Sequence, residues 1–363
     1  MLRPLAALLA LTGAAQAATL DPLFYFFGDS SLEQGNASVL TGVTDNPPYW
    51  CPNGLCRDSN GPVWAEYLGL DVDAALATDG RWDALNFAVS GAQMTRRGDP
   101  EVGAETGVAA QVEAFGGWVR SGALPAVTSH DVFVVQAGAN DFLYRLDEGD
   151  PLGEIVGDLV SAAAGNVSAL AEAGARRVMI YDVLPLDLIP GLSEGQREPL
   201  RQIVDETNRL MRDALAALEL PGGTLVSPVA YRPLADWIFA NADALGLPIL
   251  DRSCYDGEAD RLCSADPDEQ NRHLFFDHVH LSTRAQVIEA AWFRAALEDA
   301  HDIVLEGGGR EFDFDRPAPI PLPGALPLAA VSLGALCLVG LGRARRTGPS
   351  CRRRRSPRGS RPR

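Results

Sequence analysis

The sequence predicts an α/β fold, a mostly parallel sheet covered by helices on both faces. Two observations carry this. Short, continuous apolar runs recur between Gly, Asp or Pro residues, and longer amphipathic stretches separate them. Strands that alternate with helices and are apolar throughout belong to a sheet buried on both sides. Size agrees: 363 residues, 47% of them hydrophobic, suffice for one large domain or two small ones. No internal repeat is visible.

Taken in order, the first run is "LFYFFGDS" (23–30), four aromatics ending in Gly28-Asp29-Ser30. "ALNFAVSGA" (84–92), "DVFVVQAGAND" (131–141), "RRVMIYDVLP" (176–185) and "GTLVSPV" (223–229) read as further buried strands. Helices are expected over 109–121, 151–173, 193–218 and 231–245, and a last one over 282–299 that opens with a Ser-Thr pair. Two Pro/Gly-rich insertions, 41–61 and 246–276, read as long loops without secondary structure of their own. They are either walls of a substrate cleft or solvated decorations.

The two ends differ from the body. Residues 1–17, with one Arg, an apolar stretch and Ala15-Gln16-Ala17, read as a secretory signal peptide. The folded body is expected over 18–306, then a Pro/Gly-rich linker at 307–324. Residues 325–342 are apolar and about long enough to cross a bilayer, and 343–363 form an Arg-rich tail of cytoplasmic type. All 31 basic residues are Arg; ten lie from Arg343 onward and one is Arg3. The remainder leaves 20 basic against 48 acidic residues between the ends, a net charge near −28. Such a body repels polyanions, which excludes nucleic-acid binding as its function.

Six Cys are present; Cys337 and Cys351 fall in the C-terminal segments. The other four form two close pairs, Cys51/Cys56 and Cys254/Cys263, and in an exported chain the two local bridges are the expected pairing among three connectivities. Zinc is the rival for such pairs, but the spacings are not the two-residue kind.

In a parallel sheet the carboxyl ends of the strands lie on one rim, where ligands bind. There the sequence delivers Ser30, Gly91 in "VSGAQ", and Asn140 in "GAND", while "FFDHVHLS" late in the body supplies Asp277 and His280. A serine hydroxyl needs a neighbouring imidazole to take its proton. A carboxylate orients that imidazole, and donors must meet the oxyanion that forms. Because the base must be neutral, activity is expected to rise with pH through the ordinary His range, roughly 6 to 7.

These blocks resemble the GDSL, or SGNH, hydrolases. "FFGDSSLEQGN", "NFAVSGAQ", "GAND" and "DHVHLS" stand in family order across 24–285, and "NGPVWAEYLG" (60–69) is similar to the stretch after the first block in lipase-like members. The resemblance implies a three-layer α/β/α sandwich of flavodoxin type and hydrolysis of esters or thioesters, without metal or cofactor. It also implies Ser30 as nucleophile, Ser30, Gly91 and Asn140 as oxyanion donors, His280 as base and Asp277 as its partner. One departure is visible: a second serine, Ser31, stands where the family name has Leu. Ser31 reads as a helix-start hydroxyl, His278 as a rival imidazole pointing elsewhere, and His130, His273 and His301 as surface or loop residues. Asp29 and Asp141 read as supports of their turns. Asn36 and Asn166 head glycosylation sequons to which no role is given.

The C-terminal stretch "PIPLPGALPLAAVSLGALCLVGLGRARR" resembles the PEP-CTERM and VPLPA-CTERM sorting signals of exported Gram-negative proteins, which implies processing by an exosortase-like membrane enzyme. The seventeen residues after Arg346 depart from that pattern, and a plain membrane anchor is the alternative. The expectation is an exported or surface esterase or lipase acting on a small-molecule or lipid ester. Thioesterase, lysophospholipase, carbohydrate acetylesterase and a non-catalytic surface protein are the alternatives.

Overall fold

The computed structural model describes residues 22–305. The signal-peptide, linker, sorting-segment and Arg-tail expectations, with Cys337 and Cys351, lie outside these residues. Among the described residues no helix is long and apolar enough to cross a membrane.

Six parallel strands form the central sheet: β1 (Phe24–Gly28), β2 (Val72–Ala74), β3 (Ala84–Asn86), β4 (Val132–Gln136), β5 (Arg177–Tyr181) and β6 (Leu225–Val229), in the order β2-β3-β1-β4-β5-β6. Phe24 sits between Ala84 of β3 and Val132 of β4. Alternation along β1 divides the core into two layers. Phe24 and Phe26 face Trp64, Tyr231 and Phe293, whereas Tyr25 and Phe27 face Phe115, Val167 and Met211. The first layer is roofed by α6 (Tyr231–Leu245) and α8 (Thr283–His301), the second by α2 (Val108–Ser121), α4 (Leu152–Glu172) and α5 (Glu194–Ala216). This is the three-layer α/β/α arrangement.

Local signals explain the helix ends. Gly122 closes α2 in the left-handed region, and Ser193 with Gln196 makes a capping box at the start of α5. Three elements depart from the sequence reading. The edge strand β2, α1 (Asn36–Thr41) and α3 (Ala139–Glu148) were not expected, and Asn140 therefore sits in the first turn of a helix rather than at a strand end. The insertion 246–276 also carries structure: an antiparallel ribbon of β7 (Tyr255–Asp256) and β8 (Arg261–Leu262), and the one-turn α7 (Pro267–Gln270).

The chain leaves β1 towards β2 and β3 on one side and reaches β4 on the other, so the carboxyl ends of β1 and β4 flank the point where strand order reverses. A buried polar network ties α8 to this rim. Gln136, the last residue of β4, donates to Glu289 of α8 at 2.7 Å and accepts from the Trp64 indole at 2.8 Å.

Candidate active site

At the end of β1 the backbone of Gly28 approaches β4 so closely that a Cβ there would lie 2.3 Å from the Gln136 carbonyl oxygen. Gln111 of α2 clamps the same glycine, accepting from its N–H and donating to its C=O, both at 2.8 Å. Asp29 accepts the Ser31 N–H at 3.0 Å. The Ser31 backbone is thus tied to Asp29. It does not start a helix: α1 begins at Asn36 with Gly35 before it, and the Glu33 carboxylate accepts the N–H groups of Gly35 (2.6 Å) and Ala37 (3.0 Å).

Ser30 faces His280, its Oγ 2.7 Å from Nε2. His280 Nδ1 lies 2.7 Å from Asp277 Oδ2. The loop that holds this pair is tight: Asp277 Oδ1 accepts the N–H of Val279 (2.9 Å) and of His280 (2.8 Å), and the Phe276 N–H reaches the His280 carbonyl at 2.7 Å. A carboxylate so bonded fixes the proton on Nδ1 and leaves Nε2 as acceptor towards the serine. His278 is 76% exposed, its Nδ1 4.0 Å from Asp277 Oδ1, and belongs to solvent.

Gly91 has φ +77°, and a Cβ on it would lie 2.4 Å from that of Asp99, so the turn admits only glycine without rearrangement. The Val89 N–H donates to the Gly28 carbonyl at 3.1 Å, which anchors the turn to β1. From α3 the Asn140 amide donates to the Ala92 carbonyl (3.0 Å), Asp141 accepts the Met94 N–H (2.8 Å), and Asn166 of α4 donates to the Met94 carbonyl (2.9 Å). Asn140 carries a second amide N–H beyond the one spent on Ala92.

The description of GDSL-like lipases and acylhydrolases matches residues 24–293 of this chain. The chain belongs to that family. It is a hydrolase of ester bonds. Its relatives include the GDSL esterase/lipase At2g23540 of Arabidopsis thaliana, 24% identical over 73% of this chain and 82% of the relative. Another is At2g40250 of the same plant, 25% identical over 78% and 92%. Among solved structures, a member of the lipolytic G-D-S-L family from Veillonella parvula DSM 2008 aligns over 77% of this chain and 98% of its own, with 13% identity and a TM-score of 0.36.

Around the residues shared with the GDSL blocks, the fold adds others. Tyr49, from the first insertion, donates its hydroxyl to Asp277 Oδ2 at 2.7 Å. Its ring packs edge-on against Tyr255 of the second insertion (5.8 Å) and Phe276 (5.5 Å). Both insertions therefore border the Asp277–His280 loop. Each is closed by its own disulfide, Cys51–Cys56 and Cys254–Cys263. Asp58, also in the first insertion, accepts the Ser90 hydroxyl next to Gly91. No local pattern marks Tyr49 or Asp58, because their partners lie 228 and 32 residues away.

Electrostatics act strongly on His280. Burial alone would lower the His280 imidazole, but the charge and hydrogen bond of Asp277, helped by Asp58 and Asp29, raise it to about 9. The direction is upward from the ordinary His range. Burial would raise Asp277; the His280 charge and hydrogen bonds outweigh it and hold the carboxyl well below its usual range. Asp29 and Asp141, supports of their turns, are raised by burial to about 6 and about 7. Of the histidines expected in surface or loop positions, His273 lies in a loop but is buried, at 6% exposure, and His301 ends α8, at 9%; burial lowers both. Asn36 and Asn166 are buried too, as hydrogen-bonding side chains within the fold.

Proposed function

We propose that this GDSL hydrolase cleaves carboxylic esters through an acyl-enzyme formed on Ser30. The observation that carries the proposal is the unbroken chain Ser30 Oγ–His280 Nε2 and His280 Nδ1–Asp277 Oδ2, each step 2.7 Å. In the first half-reaction Ser30 Oγ attacks the carbonyl carbon while His280 Nε2 takes its proton. The oxyanion is received by the N–H groups of Ser30 and Gly91 and the amide of Asn140. His280 returns the proton to the departing alkoxide, which leaves as the alcohol. Water then attacks the acyl group with His280 again as base, and the acid departs from a regenerated Ser30. Asp277 stays ionised throughout and stabilises the imidazolium.

The relatives' names support esterase or lipase activity, and a body strongly depleted in positive charge favours neutral over polyanionic substrates. The export reading belongs to the same proposal, supported by the signal-like residues 1–17, the two disulfides, and the apolar stretch before the Arg tail. A panel of chromogenic esters of graded acyl length tests the activity. Turnover of at least one short or medium ester is expected, and lost in Ser30→Ala; no turnover across the panel contradicts the proposal. Fractionation of cells making the full chain tests export, with cleavage after Ala17 expected.

A further inference from the structure

The first insertion does more than close over the His280 loop. Its residues 57–60 are sewn to the chain just beyond His280: the Ser59 hydroxyl donates to the Leu281 carbonyl at 3.0 Å, and Asn60 Oδ1 accepts the Thr283 N–H at 2.9 Å. Gly61 lies so close that a Cβ on it would fall 2.2 Å from the Thr283 hydroxyl. Behind this seam, Arg57 is held by Glu66 through two hydrogen bonds, at 3.0 and 2.7 Å. Asp58 therefore leaves a backbone fixed to the base side of the site. Its side chain crosses to the other side and accepts the hydroxyl of Ser90, the residue before Gly91.

We propose that Asp58 is a positioning residue of the hydrolytic site: through Ser90 it sets the Gly91 turn relative to the His280 loop, and its charge supports the imidazolium. The inference rests on the esterase mechanism proposed above, and it deepens that reading. Three features support it. The Gly91 turn is anchored to β1 through Val89 and to α3 and α4 through Ala92 and Met94, but Ser90 itself is tied to the insertion by Asp58. A donor turn that drifts by a fraction of an ångström loses much of its hold on an oxyanion. Second, the charged and titratable groups that face Asp58 are His280, Asp277 and Asp99, with Asp29, Glu33, Tyr49 and Tyr144 around them. Burial raises the Asp58 carboxyl, and the His280 charge and the Ser90 hydrogen bond oppose that rise, so His280 is the cation that favours the Asp58 carboxylate and is favoured by it. Third, His280 is in turn raised by Asp277, Asp58 and Asp29, so neutralising Asp58 removes one of three carboxylates that favour the protonated base.

The test compares Asp58→Asn, Asp58→Ala, Ser90→Ala and the Asp58→Ala/Ser90→Ala double variant with the wild-type chain, reading kcat, KM and the pH profile of kcat/KM, with thermal unfolding as a check of folding. Asp58→Asn keeps an oxygen to accept from Ser90 and loses only the charge. Its kcat should stay within about fivefold, while the acid limb of kcat/KM moves down by about half a pH unit or more. Ser90→Ala and Asp58→Ala should each lose about tenfold or more in kcat with KM little changed, and the double variant no more than the worse single one. A merely structural role would move stability and not the acid limb. An acid limb in Asp58→Asn that coincides with the wild type's, or a Ser90→Ala enzyme with wild-type kcat, overturns the proposal. Should Asp58→Ala fail to fold, those two variants still decide. A wild-type chain without turnover refutes the esterase reading, and this proposal falls with it; an active wild type with indifferent variants refutes the role of Asp58 alone.

Discussion

Tyr49→Phe removes one oxygen and leaves the ring, so it isolates the bond from the first insertion to Asp277. The ring keeps its edge contacts with Tyr255 and Phe276. The lost hydrogen bond is 2.7 Å long and ends on an almost fully buried carboxylate. Bonds to charged groups contribute about 1.5–3 kcal/mol net. Because Tyr49 is itself half-buried, the lower half of that range applies, about 2 kcal/mol, or roughly thirtyfold in the folding equilibrium. Asp277 Oδ1 keeps both backbone donors, so the loop holds its shape. With one donor fewer, the carboxylate becomes a stronger partner for the imidazolium, and His280 rises further. Urea unfolding at pH 7 should show the loss of stability, and the acid limb of kcat/KM should move to higher pH. A Tyr49→Phe protein with wild-type stability and an unmoved acid limb would refute the reasoning.

Other outcomes follow from the same geometry. Asp277, Asp58 and Asp29 raise the His280 imidazole, to about 9, and only its neutral form accepts the Ser30 proton. Esterase activity should climb from pH 6 to about 9, and a plateau reached by pH 7 would contradict the raised base. The stability that the His280–Asp277 pair contributes is complete below the ordinary His value of about 6.5 and is lost as pH rises through about 9, so activity and stability should trend oppositely there. Asn36→Ala deprives Leu76, Asn86 and Ala88 of buried partners, each at 2.8 Å, and should cost about 3 kcal/mol or more by urea unfolding. Ser31→Ala and His278→Ala should keep activity within about threefold of the wild type, since His280 meets Ser30 rather than Ser31 and the His278 ring faces solvent; a large loss in either would reassign the nucleophile or the base.

The strands that build the rim were legible because each is continuous and apolar: β1, β4 and β5 are almost wholly buried and have no rival reading. β2 was not, since Val-Asp-Ala at a sheet edge is three residues long and only its last residue is buried. The helix α3 hid behind its own start, where Gly-Ala-Asn-Asp reads as a turn although the residues after it place Phe142 in the core. The meeting of Ser30 with His280 and Asp277 could be read from block order and strand-end topology. Tyr49 and Asp58 could not, because their bonds depend on how two insertions drape over the rim. The raised base was hidden for the same reason: of the carboxylates that set it, only Asp277 is a sequence neighbour.

The central claim is that Ser30 is the attacking group. Incubating the protein with a fluorophosphonate and mapping the adduct by peptide mass spectrometry tests it directly. The probe should phosphonylate Ser30 stoichiometrically, faster as pH rises towards 9, and not at all in Ser30→Ala or at a useful rate in His280→Ala. An adduct on Ser31, or labelling and ester turnover that persist in Ser30→Ala, would contradict the account.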